Sequence, residues 1–147
     1  MGNTVVTASS VISFAERLED RSAALYRHLA ETFPREQEAF LSLAESCEKT
    51  KTSVLRTYRE TISDALEAGF SFEGLDLSDY DADATLEGGV DYGKALRIAI
   101  ALEDTAADFY QDVAERSRSL LATISMAFKS AARRRKRHKQ KLQSMLG

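Results

Sequence analysis

Cysteine occurs once, at Cys47, so no disulfide can close within the chain and a reducing compartment is the simpler expectation. Proline also occurs once, at Pro34, and tryptophan is absent. With so few backbone breakers, and with Ala, Leu, Glu, Arg and Lys abundant, long helices are favoured over sheet. No apolar run approaches the roughly 20 residues a membrane span needs. The opening residues, Met1 to Val6, lack the basic segment and apolar core of a secretory signal. The expectation is a cytoplasmic protein with no membrane partner.

Acidic residues are missing from one part of the chain altogether. After Glu115 there is no Asp or Glu, yet that stretch carries ten of the twenty Lys and Arg. The first 115 residues hold 10 basic and 23 acidic residues, a net of −13, against −3 for the whole. The basic run around Arg133, Arg134, Lys136 and Arg137 is open to three readings. It can be a solvated helix end favoured by the helix dipole. It can face acidic neighbours in the fold or in an oligomer. It can bind nucleic acid or another anionic surface. No aromatic residue interleaves the run, which weakens the nucleic-acid reading.

Four helical patterns follow one another, at about residues 10–33, 35–68, 92–116 and 119–146. The first, with Ser10 as its expected N-cap, spaces Val11, Phe14, Ala15, Leu18, Ser22, Leu25 and Leu29 at helical intervals. Pro34 ends it. The second carries Phe40, Leu43, Ala44, Cys47, Val54, Leu55 and Tyr58, and the short connection makes the two antiparallel neighbours. Residues 69–91 are acidic, glycine-containing and aperiodic, and are expected to cross from one end of the molecule to the other. The third pattern opens near Asp91 and carries Leu96, Ala99, Ala106, Ala107, Tyr110 and Val113. The fourth carries Ile124, Phe128, Ala131, Ala132, Arg135, His138 and Leu142. The expected fold class is an all-α four-helix bundle: a single domain, residues 1–147, of two antiparallel hairpins joined by a long crossover.

The two hairpins repeat one another. Glu19-x-x-Ser22-x-x-Leu25-Tyr26 in the first helix is matched by Glu103-x-x-Ala106-x-x-Phe109-Tyr110 in the third. Phe40-x-x-Leu43-Ala44-x-x-Cys47-x-x-Thr50 in the second is matched by Phe128-x-x-Ala131-Ala132-x-x-Arg135-x-x-His138 in the fourth. In both odd helices a glutamate precedes a tyrosine by two turns on nearly the same face.

On these residues the chain resembles the rubrerythrin-like branch of the ferritin-like superfamily, over residues 10–146. The resemblance implies a bundle in which the first and third helices each give a glutamate. The second and fourth each give Glu-x-x-His, and the six side chains hold two irons. Carried over position by position, Glu19, Glu103 and His138 match ligands, a vestigial metal set. Cys47 and Arg135 stand where the bridging glutamates belong, and Thr50 stands where a histidine belongs. Four carboxylates would need metal to offset their charge, whereas two carboxylates and one guanidinium sum to −1 with His138 neutral. An ion cluster of Glu19, Glu103 and Arg135 is therefore expected in place of the metals.

Each residue also has a plainer reading. Glu19 and Glu103 can be surface acids. Arg135 can belong to the solvated run, and His138 to ordinary helix packing. Cys47 reads as a small buried hydrophobe, His28 as exposed, and Tyr26 and Tyr110 as core residues with hydroxyls bonded across the bundle. The favoured function is a bundle without di-iron catalysis or cofactor, in a structural, regulatory or binding role, with the sequence leaving open whether it is an enzyme. The first alternative is a metal-dependent oxidoreductase holding iron or manganese at an altered centre. The second is an anion or nucleic-acid binder using the basic fourth helix. The resemblance also implies a homodimer.

Overall fold

The computed structural model describes residues 6–61, 72, 74–81, 86, 88–117 and 122–147, with the side chains of residues 61, 122 and 123 outside that description. Four long helices pack together: α1 (Ala8–Thr32), α2 (Gln37–Thr61), α3 (Tyr92–Ser117) and α4 (Ala122–Leu146). Among the described residues, no helix is long and apolar enough to cross a membrane.

The helix boundaries depart slightly from the sequence expectation, for local reasons. α1 begins two residues early because Thr7, not Ser10, is its N-cap. The Thr7 hydroxyl accepts from the amide of Ser10 at 3.1 Å. At the other end the Phe33 amide returns to the Leu29 carbonyl at 2.8 Å. Pro34 then opens a single 3-10 turn, Pro34–Glu36, before α2 starts at Gln37. Asp91 caps α3 through its side chain, which accepts from the Lys94 amide at 2.7 Å. The expected extension of α2 to residue 68, the start of α4 at 119 and parts of the expected crossover (69–71, 73, 82–85 and 87) lie outside the described residues.

Side-chain pairs give the helix directions. Asp20 meets Lys51 and Arg27 meets Glu48, so α1 and α2 are antiparallel. Asp104 meets Lys139 while the Ala114 carbonyl meets Ser125, so α3 and α4 are antiparallel. Tyr26 meets Glu103 and Tyr110 meets Glu19, so α1 and α3 are antiparallel too. Ser46 with His138 and Thr50 with Arg134 show the same for α2 and α4. α2 and α3 consequently run in the same direction.

Between the helices, the described residues sit at successive levels. Phe72 donates its amide to the Val6 carbonyl at 2.8 Å, beside the start of α1. A 3-10 turn, Leu77–Tyr80, is capped by Asp76, whose carboxylate accepts from the Ser78 amide and hydroxyl at 3.0 and 2.7 Å. Tyr80 stacks edge-on against Phe109 and donates to Asp112 at 2.5 Å. Tyr92 stacks against Phe33 and Phe40, at the opposite end from Val6.

The core is one continuous apolar cluster. It is aromatic at two levels: Phe14, Phe109, Tyr110 and Phe128 toward one end, and Phe33, Phe40 and Tyr92 at the other. The charged residues described next lie between these two levels.

Candidate functional site

Each helix sends polar side chains into the middle of the bundle. Glu19, Ser22 and Tyr26 come from one stripe of α1 at spacings of three, four and seven, and Glu103 and Tyr110 from the equivalent stripe of α3. Cys47 and Thr50 come from α2, and Arg135 and His138 from α4. All nine are buried. Arg135 is 1% exposed and is the largest of the fully buried side chains.

Its guanidinium bridges two carboxylates. Arg135 Nη1 donates to Glu103 Oε1 at 2.9 Å. Arg135 Nη2 lies 3.0 Å from Glu19 Oε1 and donates to Ser22 Oγ at 2.9 Å. The Ser22 hydroxyl in turn donates to the Leu18 carbonyl at 2.7 Å. The Nη2 contact with Glu19 is an ion pair without hydrogen-bond alignment. Glu19 Oε1 and Arg135 Nε have no hydrogen-bond partner among the described residues.

The other carboxylate oxygens are bonded as well. Tyr26 donates to Glu103 Oε2 and Tyr110 donates to Glu19 Oε2. Each tyrosine thus serves the glutamate of the opposite hairpin. Its own lies two turns away, roughly 10 Å along the helix and out of reach. His138 Nδ1 lies 3.3 Å from Glu103 Oε2, and Nε2 lies 2.7 Å from Ser46 Oγ. A carboxylate only accepts, so Nδ1 carries the proton, and in the neutral ring Nε2 accepts from Ser46.

The electrostatics follow from this geometry. Burial raises the Glu103 carboxyl, but Arg135 and then His138 outweigh it, and the group is held below its usual range. The same two carboxylates, acting against burial, hold Arg135 well above its ordinary value. Burial and the neighbouring glutamates push the Cys47 thiol up, so it is a poor thiolate source.

Tyr26 and Tyr110 are raised well above 10.0, first by burial and then by Glu103 and Glu19 respectively, with Arg135 opposing. A raised folded-state value favours the protonated form. This stabilisation is complete below pH 10 and is lost as the pH rises beyond it. Among the five tyrosines, these two are therefore expected to ionise only as the bundle opens. Ultraviolet titration of phenolate should show a steep last step that coincides with loss of helical circular dichroism. In the Tyr26→Phe, Tyr110→Phe double variant that step should lose the contribution of two tyrosines and keep that of Tyr80, which burial and Asp112 also hold above its ordinary value. Complete ionisation with the helix signal intact would contradict this account.

The residues do not fit a di-iron centre. The guanidinium lies between the two glutamates that would face the metals, and it cannot deprotonate to make way. Three of the four Glu19 and Glu103 oxygens already accept hydrogen bonds, and the fourth faces the guanidinium. His138 is engaged at both ring nitrogens. Thr50 accepts from Arg134 Nη1 at 3.1 Å instead of facing a ligand.

Sequence reasoning identifies Glu19, Glu103, Arg135 and His138, and the structure brings all four together with Cys47 beside them. Their exposed or solvated readings do not apply. Of the basic face, Arg133, Lys136 and Arg137 are exposed, whereas Arg134 is half-buried against Thr50. His28 is exposed, as expected. Two participants, Ser22 and Ser46, are not marked as site residues by the sequence: Ser22 falls on the apolar stripe of α1, and Ser46 carries no periodic signal. A serine on an apolar stripe, opposite an inward arginine, is the pattern that could have marked Ser22.

Compared with known proteins, the chain matches no family model, no curated protein and no solved structure.

Proposed function

We propose that the chain is a ferritin-like bundle of the rubrerythrin-like kind in which a buried ion cluster stands in place of the di-iron centre, and that it acts by binding and not by metal chemistry. One observation carries this reading: the Arg135 guanidinium lies 2.9 and 3.0 Å from the two glutamates that would otherwise hold the metals. A cation fixed there offsets the carboxylate charge that a metal would offset.

The helix directions support the fold half of the proposal. α2 and α3 run the same way, which calls for a connection that travels the length of the bundle. The positions of Phe72 beside Val6, Tyr80 beside Phe109, and Tyr92 beside Phe33 agree with such a crossover. The cross-bonded tyrosines, Tyr26 to Glu103 and Tyr110 to Glu19, agree with a pseudo-two-fold repeat of two hairpins.

Metal analysis of protein purified without chelator tests the functional half. Iron and manganese are expected well below one equivalent per chain. Near-stoichiometric metal that disappears in Glu103→Gln or His138→Ala would overturn the proposal. It would favour an oxidoreductase built on Glu19, Glu103 and His138.

A further inference from the structure

The outer side of the cluster opens onto a groove. Between α2 and α4 lies a depression of about 210 Å3, lined by Ser42, Leu43, Ser46, Arg134, Arg137, His138 and Lys141. Its α4 wall is one helical stripe, because residues 134, 137, 138 and 141 fall at spacings of three, four and seven. Its α2 wall presents two hydroxyls and no charge. We infer that this groove is a binding site for a small phosphorylated ligand, a phosphate monoester gripped by Arg134, Arg137 and Lys141.

Three features argue for an anion here. First, the cations lack counter-charges. Among the described residues, no carboxylate lies within 4.0 Å of Arg134, Arg137 or Lys141, and Arg134 donates only to neutral Thr50. Lys139, by contrast, is paired to Asp104 at 2.6 Å. Second, Glu45 and Glu48, on either side of Ser46 in the α2 sequence, are directed elsewhere: Glu45 to Lys49 and Glu48 to Arg27. Third, the donors differ in kind as a phosphate requires. Two guanidiniums supply planar forks, an ammonium supplies a point charge, and Ser42 supplies a hydroxyl donor, the Ser46 proton being committed to His138 Nε2. The Ser46 hydroxyl is already oriented by His138 Nε2 at 2.7 Å. His138 in turn meets Glu103 at 3.3 Å, which ties this wall of the groove to the buried cluster.

The size of the groove favours a small ligand over a polymer. Pockets for drug-sized molecules run from about 300 to 1,000 Å3, so this groove suits a phosphate and a short organic group. A nucleic acid would need a longer track of cations, and the −13 charge on the first 115 residues repels a polyanion that extends past the groove.

The inference does not depend on the family reading, because the groove is described by its own residues. Calorimetric titration of the full chain with inorganic phosphate and with glycerol 3-phosphate tests it, with a single-stranded oligonucleotide as the rival probe. The two histidines give a local readout. On adding glycerol 3-phosphate, the His138 ring signals should shift in the proton spectrum while those of exposed His28 should not. Arg137→Gln combined with Lys141→Gln should weaken binding at least about tenfold, the loss expected for charge-assisted hydrogen bonds. Arg133→Gln combined with Lys136→Gln removes the same charge from exposed positions outside the groove and should change affinity little. Equal weakening by both pairs would overturn the site in favour of diffuse charge. So would absence of binding by both phosphates, or oligonucleotide binding that is tighter and equally sensitive to both pairs. The four substitutions fall on exposed residues, so the variants are expected to fold, and circular dichroism checks this.

Discussion

Arg135→Ala is expected to remove about 3–5 kcal/mol of unfolding free energy, the loss typical when one partner of a buried ion pair is deleted. The reason is the company that Arg135 keeps. It is 1% exposed, and the two carboxylates it faces are fully buried. Without it, Glu19 and Glu103 would be two like charges out of water with only tyrosine and histidine donors around them. A domain of this size has about 5–15 kcal/mol in total, so chemical denaturation should show a large fall in the midpoint. Arg133→Ala, at an exposed position, should stay within about 0.5 kcal/mol. Arg135→Lys should fall between the two, because an ammonium keeps the charge but cannot span both carboxylates and Ser22 as a fork does. The triple variant Glu19→Gln, Glu103→Gln, Arg135→Met should recover most of the loss. It leaves no buried charge, and glutamine still accepts from the tyrosines. A change under about 0.5 kcal/mol for Arg135→Ala would mean that the cluster is not formed.

The second large effect is a gain. Cys47→Glu, Thr50→His and Arg135→Glu together should convert the cluster into an iron site. The variant would hold four carboxylates and two histidines in the middle of the bundle, the donor set of di-iron carboxylate bundles. Positions 47 and 50 share one face of α2, and 135 and 138 share one face of α4. Cys47 lies close enough to Glu19, Glu103 and Arg135 for each to influence its thiol. Without metal, the variant should be markedly less stable than the parent, because four carboxylates repel one another. With iron at a thousandfold excess over its dissociation constant, about 4 kcal/mol should return. Iron-dependent rescue of the melting temperature is the measurement. A folded variant that binds no iron would mean that the correspondence between α2, α4 and the ligand positions is out of register, whatever the fold.

How far these features were legible in the sequence depends on the residue. Glu19 and Glu103 stood out because they recur at the same place in two helices and in phase with apolar stripes. Arg135 lies among Arg133, Arg134, Lys136 and Arg137, and composition alone does not separate them. Phase does: Phe128, Ala131, Ala132, His138 and Leu142 put position 135 on the inner face, while Arg133, Lys136 and Arg137 turn away and Arg134 sits at the edge against Thr50. That the Tyr26 and Tyr110 hydroxyls bond across the bundle is legible in their core positions, but the glutamates that accept from them are not. The sequence shows the seven-residue interval, but only the antiparallel packing of α1 on α3 brings Tyr26 to Glu103 and Tyr110 to Glu19. Ser46 was illegible because one serine on a half-buried position carries no periodic signal. The sequence points to Ser10 as the start of α1 because serine, like threonine, is a good cap. The choice between Thr7 and Ser10 turns on which hydroxyl meets an unpaired amide, a detail of backbone conformation.

The division of the cluster between the hairpins has a consequence for assembly. α3 and α4 together carry Glu103, Arg135 and His138, so most of that charge is matched within one hairpin. α1 and α2 contribute Glu19 and Tyr26, which find Arg135 and Glu103 only across the interface. Apolar attraction is non-directional, so a bundle slipped by one helical turn would still bury apolar surface. A slip here would strand Glu19 in the core without a cation and leave Tyr110 without an acceptor. The ion cluster therefore acts as a proof-reader of alignment: it adds little to the stability of the correct pairing relative to an apolar core of the same shape, but it makes the wrong pairings expensive.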